Sequence, residues 1–324
     1  MSVVLLHQVL GLDADANLFM PEEGYSSLND LYQTLRFMEQ IVQSGRIDGQ
    51  IRRIRDESGD IICLAINNQG TDEYPSFWAV FTNVVARAGI KSAAAGMFDS
   101  LASSLLQSVD DVNSNEASQQ ELELALREYY SLALVERQLC DGCVKPGETY
   151  EMVYLDIRVQ RLDMLFRKLG QRFDASGRTL EICCGNGMAT LSLEKLGIYP
   201  LTTDYDRCQV CQGLEHEVLK TGRTIVMDAT RLTHFFDDSS FDAVMGFMLG
   251  TIYHFNRDVW AAMMAESLKV VKPGGTLLFT VNRRDEMDIL KEVLDGLGAV
   301  GEVIDNTDKN GIYDQWVYLG QKKM

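Results

Sequence analysis

Basic charge is scarce in this chain: 30 Lys and Arg stand against 47 Asp and Glu, for a formal net charge of -17 over 324 residues. Binding to a phosphate backbone draws on clustered Lys and Arg, so nucleic acid is not expected as a partner. The shortage is uneven, with 22 acids and 10 bases in residues 1–150 and 25 acids and 20 bases in residues 151–324. The acidic excess reads as a solvated surface. Long apolar runs are also missing. VVLLHQVLGL near the start has no basic flank and is too short to span a bilayer, and the next most apolar stretch, Val84 to Leu106, is broken by Arg87, Lys91 and Asp99. No membrane span and no secretory signal are expected, which places the protein in the cytoplasm with its seven cysteines reduced. Internal repeats are lacking too. The length exceeds that of a usual single domain, so two are expected, and an apolar share of 46% allows a sizeable core.

What is present centres on Arg178 to Thr190, reading RTLEICCGNGMAT. Thr179 to Ile182 form a short apolar strand, Gly185 and Gly187 occupy a turn, and the helical spacing of ATLSLEKLG runs to Gly197. Glycines let backbone approach a ligand closely, and Glu181 lies at the strand's carboxyl end, where open α/β sheets bind ligands. A dinucleotide fingerprint wants a third glycine where Thr190 stands, and a carboxylate beside a pyrophosphate repels it. The turn therefore suits a cationic or hydroxylic ligand.

The theme recurs at intervals. Tyr199 to Thr203 make a second strand closed by Asp204, 19 residues after Gly185, where an acidic group receives ribose hydroxyls. Thr224 to Met227 make a third, closed by Asp228 and Ala229. Phe241 to Met245 make a fourth with Gly246 at its exit, Val259 to Val271 a helix, and LysProGlyGly at 272–275 turns into a fifth strand, Thr276 to Val281. With ExCCGNG, Asp204, the Asp228-Ala229 pair, the FDxV strand and the KPGG turn in this order, residues 150–324 resemble the class I S-adenosylmethionine-dependent methyltransferases. The resemblance implies an α/β, Rossmann-like seven-stranded sheet in the order 3-2-1-4-5-7-6 with the last strand antiparallel. Val300 to Ile304 and Gln315 to Leu319 would form its final hairpin. It also implies roles: Glu181 with the Gly185 and Gly187 backbone toward the methionine part, Asp204 on the ribose, Tyr205 on adenine, Asp228 on the adenine amine, and Gly246 with Phe247 closing the cleft. The CysCys pair departs from the family's commoner small residues and leaves the contact of Cys183 open.

Residues 1–145 carry no motif set that identifies a family. From an N-cap at Ser27, Leu28, Leu31, Leu35, Met38 and Val42 mark a helix ending at Gly45. Gln50 to Arg55 and Ile61 to Ile66 read as a hairpin, and further helices are expected at about 75–88, 92–108 and 116–139, with 110–115 as a loop. The result is a mostly helical N-terminal domain, which the resemblance casts as a substrate lid or a homodimer surface. The turn-rich CysAspGlyCysValLysProGlyGlu sets a boundary ahead of a methyltransferase domain over 146–324. Cys140 with Cys143, and Cys208 with Cys211, have the spacing of metal-binding thiolates, but nothing makes the pairs converge, and ordinary thiols without a metal are expected. The next helix presents Tyr150, Tyr154 and Arg158 on one face. In relatives such a helix folds over the cofactor and an Arg can meet its carboxylate; otherwise it simply packs on the sheet.

A sulfonium makes its methyl group electrophilic, so alignment and exclusion of water suffice, and a base is needed only for a thiol or hydroxyl acceptor. His254, with Tyr253 beside it, lies where the family places residues near the acceptor. The sequence GFMLGT after the fourth strand lacks the signature of exocyclic-amine methylation, which leaves small molecules and protein side chains as acceptors. The cysteine-rich turn resembles those of anaerobic archaeal relatives, and that resemblance adds a side chain of methyl-coenzyme M reductase as an alternative acceptor. A cofactor-binding scaffold without transfer activity is the reading from a different class.

Overall fold

The computed structural model describes residues 5–45, 47, 49–71, 75–88, 93–107, 109, 112–136, 155–309 and 311–323. The chain divides into two compact units, Met1–Cys140 and Asp141–Met324. The turn-rich boundary, with Cys140, Cys143, Tyr150 and Tyr154, lies outside the described residues.

In the first unit, helices α1 (Leu6–Leu10), α2 (Tyr32–Ser44), α3 (Val84–Ala88), α4 (Ala93–Gln107) and α5 (Gln119–Val135) accompany a sheet of β1 (Leu18–Phe19), β2 (Ile51–Arg55), β3 (Ile61–Asn68), β4 (Phe77–Thr82) and β5 (Val112–Glu116). The strand order is β1-β4-β3-β2-β5. This sheet exceeds the single hairpin expected from sequence. Phe77–Thr82, FWAVFT, lies inside a continuous apolar run whose period does not separate helix from strand, and its aromatic and β-branched residues decide for strand. Polar VNSNE, expected as loop to Asn115 and as the start of a helix at Glu116, instead lies parallel to β2 with Ile51 opposite Val112, held by backbone pairing at the sheet's edge. The cap at Ser27 is also corrected. Ser27 sits in a 3-10 turn, Leu31 breaks the chain at φ 53, and the helix starts at Tyr32. Its first turn is capped from outside: Thr34 N donates to buried Glu22 Oε1 at 2.7 Å. Apolar residues of α2 and α4, Met38, Phe98 and Ala102 among them, pack with Ile51, Leu64 and Phe81 of the sheet.

The second unit contains β6 (Thr179–Ile182), β7 (Leu201–Asp204), β8 (Thr224–Val226), β9 (Phe241–Gly246), β10 (Val271–Val281), β11 (Ala299–Asp305) and β12 (Trp316–Lys322). Its order is β11-β12-β10-β9-β6-β7-β8, the expected 3-2-1-4-5-7-6, and β12 runs antiparallel to both β10 and β11. Helices α6 (Asp156–Leu169), α7 (Met188–Lys195), α8 (Arg207–Glu215), α9 (Arg257–Val270) and α10 (Arg284–Gly296) accompany it. The stripe Leu162, Leu165, Phe166 and Leu169 of α6 packs on Ala243, Met245, Leu278 and Val317. Such a stripe, spaced by three and four residues, is what a 3.6-residue period turns toward a sheet.

One packing detail fixes the last hairpin. Gly301 of β11 pairs with Gly320 of β12, and a Cβ on either would lie 2.5 or 2.7 Å from the fully buried Tyr318 ring. The ring thus covers two glycines on neighbouring strands. Replacing Gly301 by Val should cost about 1–3 kcal/mol through overpacking, read as a lower urea midpoint; an unchanged midpoint would show that the ring moves aside freely.

Candidate functional site

After β6 the backbone turns at Cys183, whose φ of 53 is the left-handed region that side chains rarely adopt, and continues through Gly185 (φ 55) and Gly187 (φ 91). The two glycines differ in purpose. A Cβ on Gly187 would come within 2.6 Å of Leu219, so that glycine admits close packing. A Cβ on Gly185 would meet only Gln209 Oε1, at 4.0 Å, so the backbone there faces open space. The turn is tied down by Cys184 N donating to Thr203 O at 3.1 Å and Gly187 N to Cys184 O at 2.9 Å.

Glu181 lies beneath this turn with no exposure. Thr190 Oγ1 donates to its Oε2 at 2.7 Å, while its Oε1 has no hydrogen-bond partner. Burial pushes the carboxyl up to about 7, against the lowering effects of the Thr190 hydrogen bond and the Arg158 charge. Thr190, where a dinucleotide fingerprint has glycine, therefore has a task that a reading of the motif alone missed.

Asp204 closes β7 with both oxygens on backbone amides: Gly185 N donates to Oδ2 and Asp206 N to Oδ1, each at 2.8 Å. Burial raises its carboxyl pKa, and these hydrogen bonds oppose the rise. Tyr205 beside it is 77% exposed, a free aromatic face at the rim. Asp228, exposed, accepts Thr230 N at 2.8 Å and opens a 3-10 turn that begins at buried Ala229. Glu181, Asp204 and Asp228 all act on the Cys183 thiol. Burial pushes the Cys183 thiol up, and the charges of Asp204, Asp228 and Glu181 push it further in the same direction. The Cys183 Sγ itself meets Met263 Sδ at 3.6 Å.

On the other side, Arg158 of α6 donates from Nη2 to Phe247 O at 3.4 Å, and its guanidinium lies 5.7 Å from the Tyr313 ring centre. The Phe247 ring does not close a cleft as expected. It is 2% exposed and packs edge-on to Phe166 at 5.8 Å, because an apolar ring at this point gains more from the core, and only its carbonyl faces Arg158. Gly246 is packing-limited, since a Cβ there would stand 2.8 Å from Leu249. Tyr154, expected near Arg158, lies outside the described residues. Tyr253 and Phe255 stack at 5.1 Å on the surface, with exposed His254 between them in the turn His254–Asn256.

Because Glu181 holds its proton more tightly folded than unfolded, the stability this contributes is complete below the ordinary 4.5 and is lost as pH rises through about 7. Glu181→Gln has no such loss. Above pH 7 it should be more stable than wild type by up to about 3 kcal/mol, with the gap closing in acid, as read by urea unfolding across pH. Parallel stability curves would contradict the burial argument.

Residues 179–275 match a family model described as a methyltransferase domain. Among curated relatives, demethylmenaquinone methyltransferase from Corynebacterium glutamicum (strain R) is 31% identical over 134 residues, 40% of this chain and 54% of that protein. The enzyme of that name from Mycobacterium marinum is 31% identical over 108 residues, 33% of this chain and 42% of that protein. The chain thus spans about half the length of the curated relatives it matches. Among solved structures, a SAM dependent methyltransferase from Archaeoglobus fulgidus aligns at 13% identity and TM-score 0.40 over 51% of this chain and 94% of that one. The PH0226 protein from Pyrococcus horikoshii OT3 aligns at 18% identity and TM-score 0.42 over 58% and 99%. The matched residues lie in the second unit and run from β6, through the glycine turn and the strands closed by Asp204 and Asp228, into β10, so it is this stretch that is similar to a methyltransferase domain.

Proposed function

We propose that this chain transfers a methyl group from S-adenosylmethionine to a small molecule or a protein side chain. The observation that carries this reading is the unpartnered, fully buried Glu181 Oε1 beneath the open backbone of Gly185. A buried acceptor without a donor is costly, and an ammonium donor from a ligand would relieve it. The residues present fit the rest of the cofactor. Asp204 keeps lone pairs for ribose hydroxyls, Tyr205 offers its exposed ring to adenine, and Asp228 has an oxygen left for the adenine amine. When bound, the cofactor supplies an electrophilic methyl on a sulfonium. The chain's part is to orient it, with Arg158 available to its carboxylate, and to keep water from the sulfur.

A small-molecule acceptor is favoured because the curated relatives are named for demethylmenaquinone. The acidic balance of the chain supports an acceptor that is not nucleic acid. No helix among the described residues is long and apolar enough to cross a membrane. The first unit is assigned the choice of acceptor, so a chain starting near residue 146 should keep cofactor affinity and lose turnover; full turnover from it would remove that role.

Incubation with methyl-labelled cofactor and fractionated lysate should label one acceptor, whereas binding without any labelled acceptor would make the protein a cofactor-binding scaffold. Our reading gives His254, exposed on its turn, no part in the proton path. His254→Gln should leave the pH profile of turnover in place, and a loss of about a hundredfold or more would make it a general base.

A further inference from the structure

Across the sheet of the first unit, on the face that packs with α2, paired residues form a row: Phe19 of β1, Ala79 of β4, Ile66 of β3 and Ile51 of β2. Residues paired across strands share a face, as do alternate residues along a strand, so Phe77 and Phe81 flank Ala79 on that same side. The smallest side chain of the row thus stands between two rings along its strand and between Phe19 and Ile66 across it. A single methyl group cannot fill that place.

Helix α2 does not fill it either. Met38 is buried in the core with Ile66 and Phe81, while Phe37 and Ile41, one helical turn apart, border the hollow together with Ile47 beyond the helix end. What remains is a cavity of about 470 Å³, the size of a small-molecule site. Its mouth is aromatic. Phe19 and Phe37 stay 39% and 37% exposed, and Phe19 meets Phe37 edge-on at 5.8 Å and Phe77 edge-on at 5.9 Å. Rings set in this way offer both edges and faces to a further flat ring.

The polar part of the lining lies on one side. Asn67, Asn68 and Gln69, where β3 ends, add amide donors and acceptors, and Asn68 is paired with Phe77, which puts the polar end beside the aromatic wall. None of the described residues lining the hollow is charged. An ion would lose hydration here without gaining a counter-charge, so the chemistry selects a neutral molecule.

We propose that this hollow is a binding site for a neutral, fused-ring aromatic molecule bearing a carbonyl or hydroxyl group. The rings lie over Ala79 among Phe19, Phe37 and Phe77, and the polar group meets the amides at the end of β3. The site lies within the first unit and does not rest on the methyl-transfer reading.

The test is calorimetric titration of the full chain with 2-naphthol, beside 2-naphthalenesulfonate as its charged counterpart and decahydro-2-naphthol as its saturated one. 2-Naphthol should bind saturably at one site per chain, the sulfonate about tenfold or more weaker and the saturated alcohol about threefold or more weaker. Ala79→Leu places a branched side chain in the hollow. Its affinity for 2-naphthol should fall about tenfold or more while its urea midpoint holds or rises. Phe19→Leu keeps an apolar rim but removes a ring, and should weaken 2-naphthol about threefold with the saturated alcohol unaffected; this variant carries the test if Ala79→Leu does not fold. No saturable binding, equal affinity for either counterpart, or 2-naphthol affinity unmoved by the substitutions overturns the proposal. So does a wild-type dimer in sedimentation that Ala79→Leu abolishes, since a second copy of the chain would then fill the hollow.

Discussion

One oxygen of Glu181 has a hydroxyl partner and the other has none, in a position sealed from water. That imbalance is the constraint the second unit is built to sustain. A strand end buries the carboxylate, Thr190 on the following helix pins one of its oxygens, and Gly187 lets that helix start against Leu219 without a clash. Gly185 leaves the space above open, and the positive charge of Arg158 acts on the acid. The strained φ at Cys183 belongs with these features, because the turn must leave the strand within one residue to place glycine backbone over the carboxylate.

Around this point the field is negative. Glu181, Asp204 and Asp228 act on one thiol, and burial raises the carboxyl pKa of the first two. A cationic ligand would stabilise all three at once, while an anionic one would have to overcome them. The same argument separates this crevice from a pyrophosphate site more firmly than the missing third glycine does.

What the sequence made legible was local. The ExCCGNG turn, Asp204 and Asp228 each sit at the end of a short strand whose apolar run and closing acid are contiguous in the chain, so the strands and their acids could be read along it, while the strand order came from the family resemblance. Less accessible was whatever depends on distant segments meeting. Thr280 and Asp314 are 34 residues apart and touch only because β12 returns antiparallel beside β10. Phe247 read as a cleft residue by its place after β9, yet its ring finds a larger apolar surface in the core. In the first unit, FWAVFT had no period to distinguish strand from helix, and VNSNE owes its strand to a neighbour's backbone and not to its own side chains. Leu31 shows the same limit at one residue, with the apolar stripe continuing across a left-handed break that composition does not mark.

The proton on Glu181 offers the most direct test of the central claim, that its free oxygen awaits a ligand's ammonium group. With burial holding the carboxyl near 7, a neutral-pH sample contains both forms, and a bound ammonium should select the ionised one. Calorimetric titration of the wild-type chain with S-adenosylhomocysteine at about pH 7, in buffers of different ionisation enthalpy, counts the protons exchanged. The account predicts saturable binding with net release of a fraction of a proton, absent in Glu181→Gln. Binding with no proton release, or no binding at all, would contradict it.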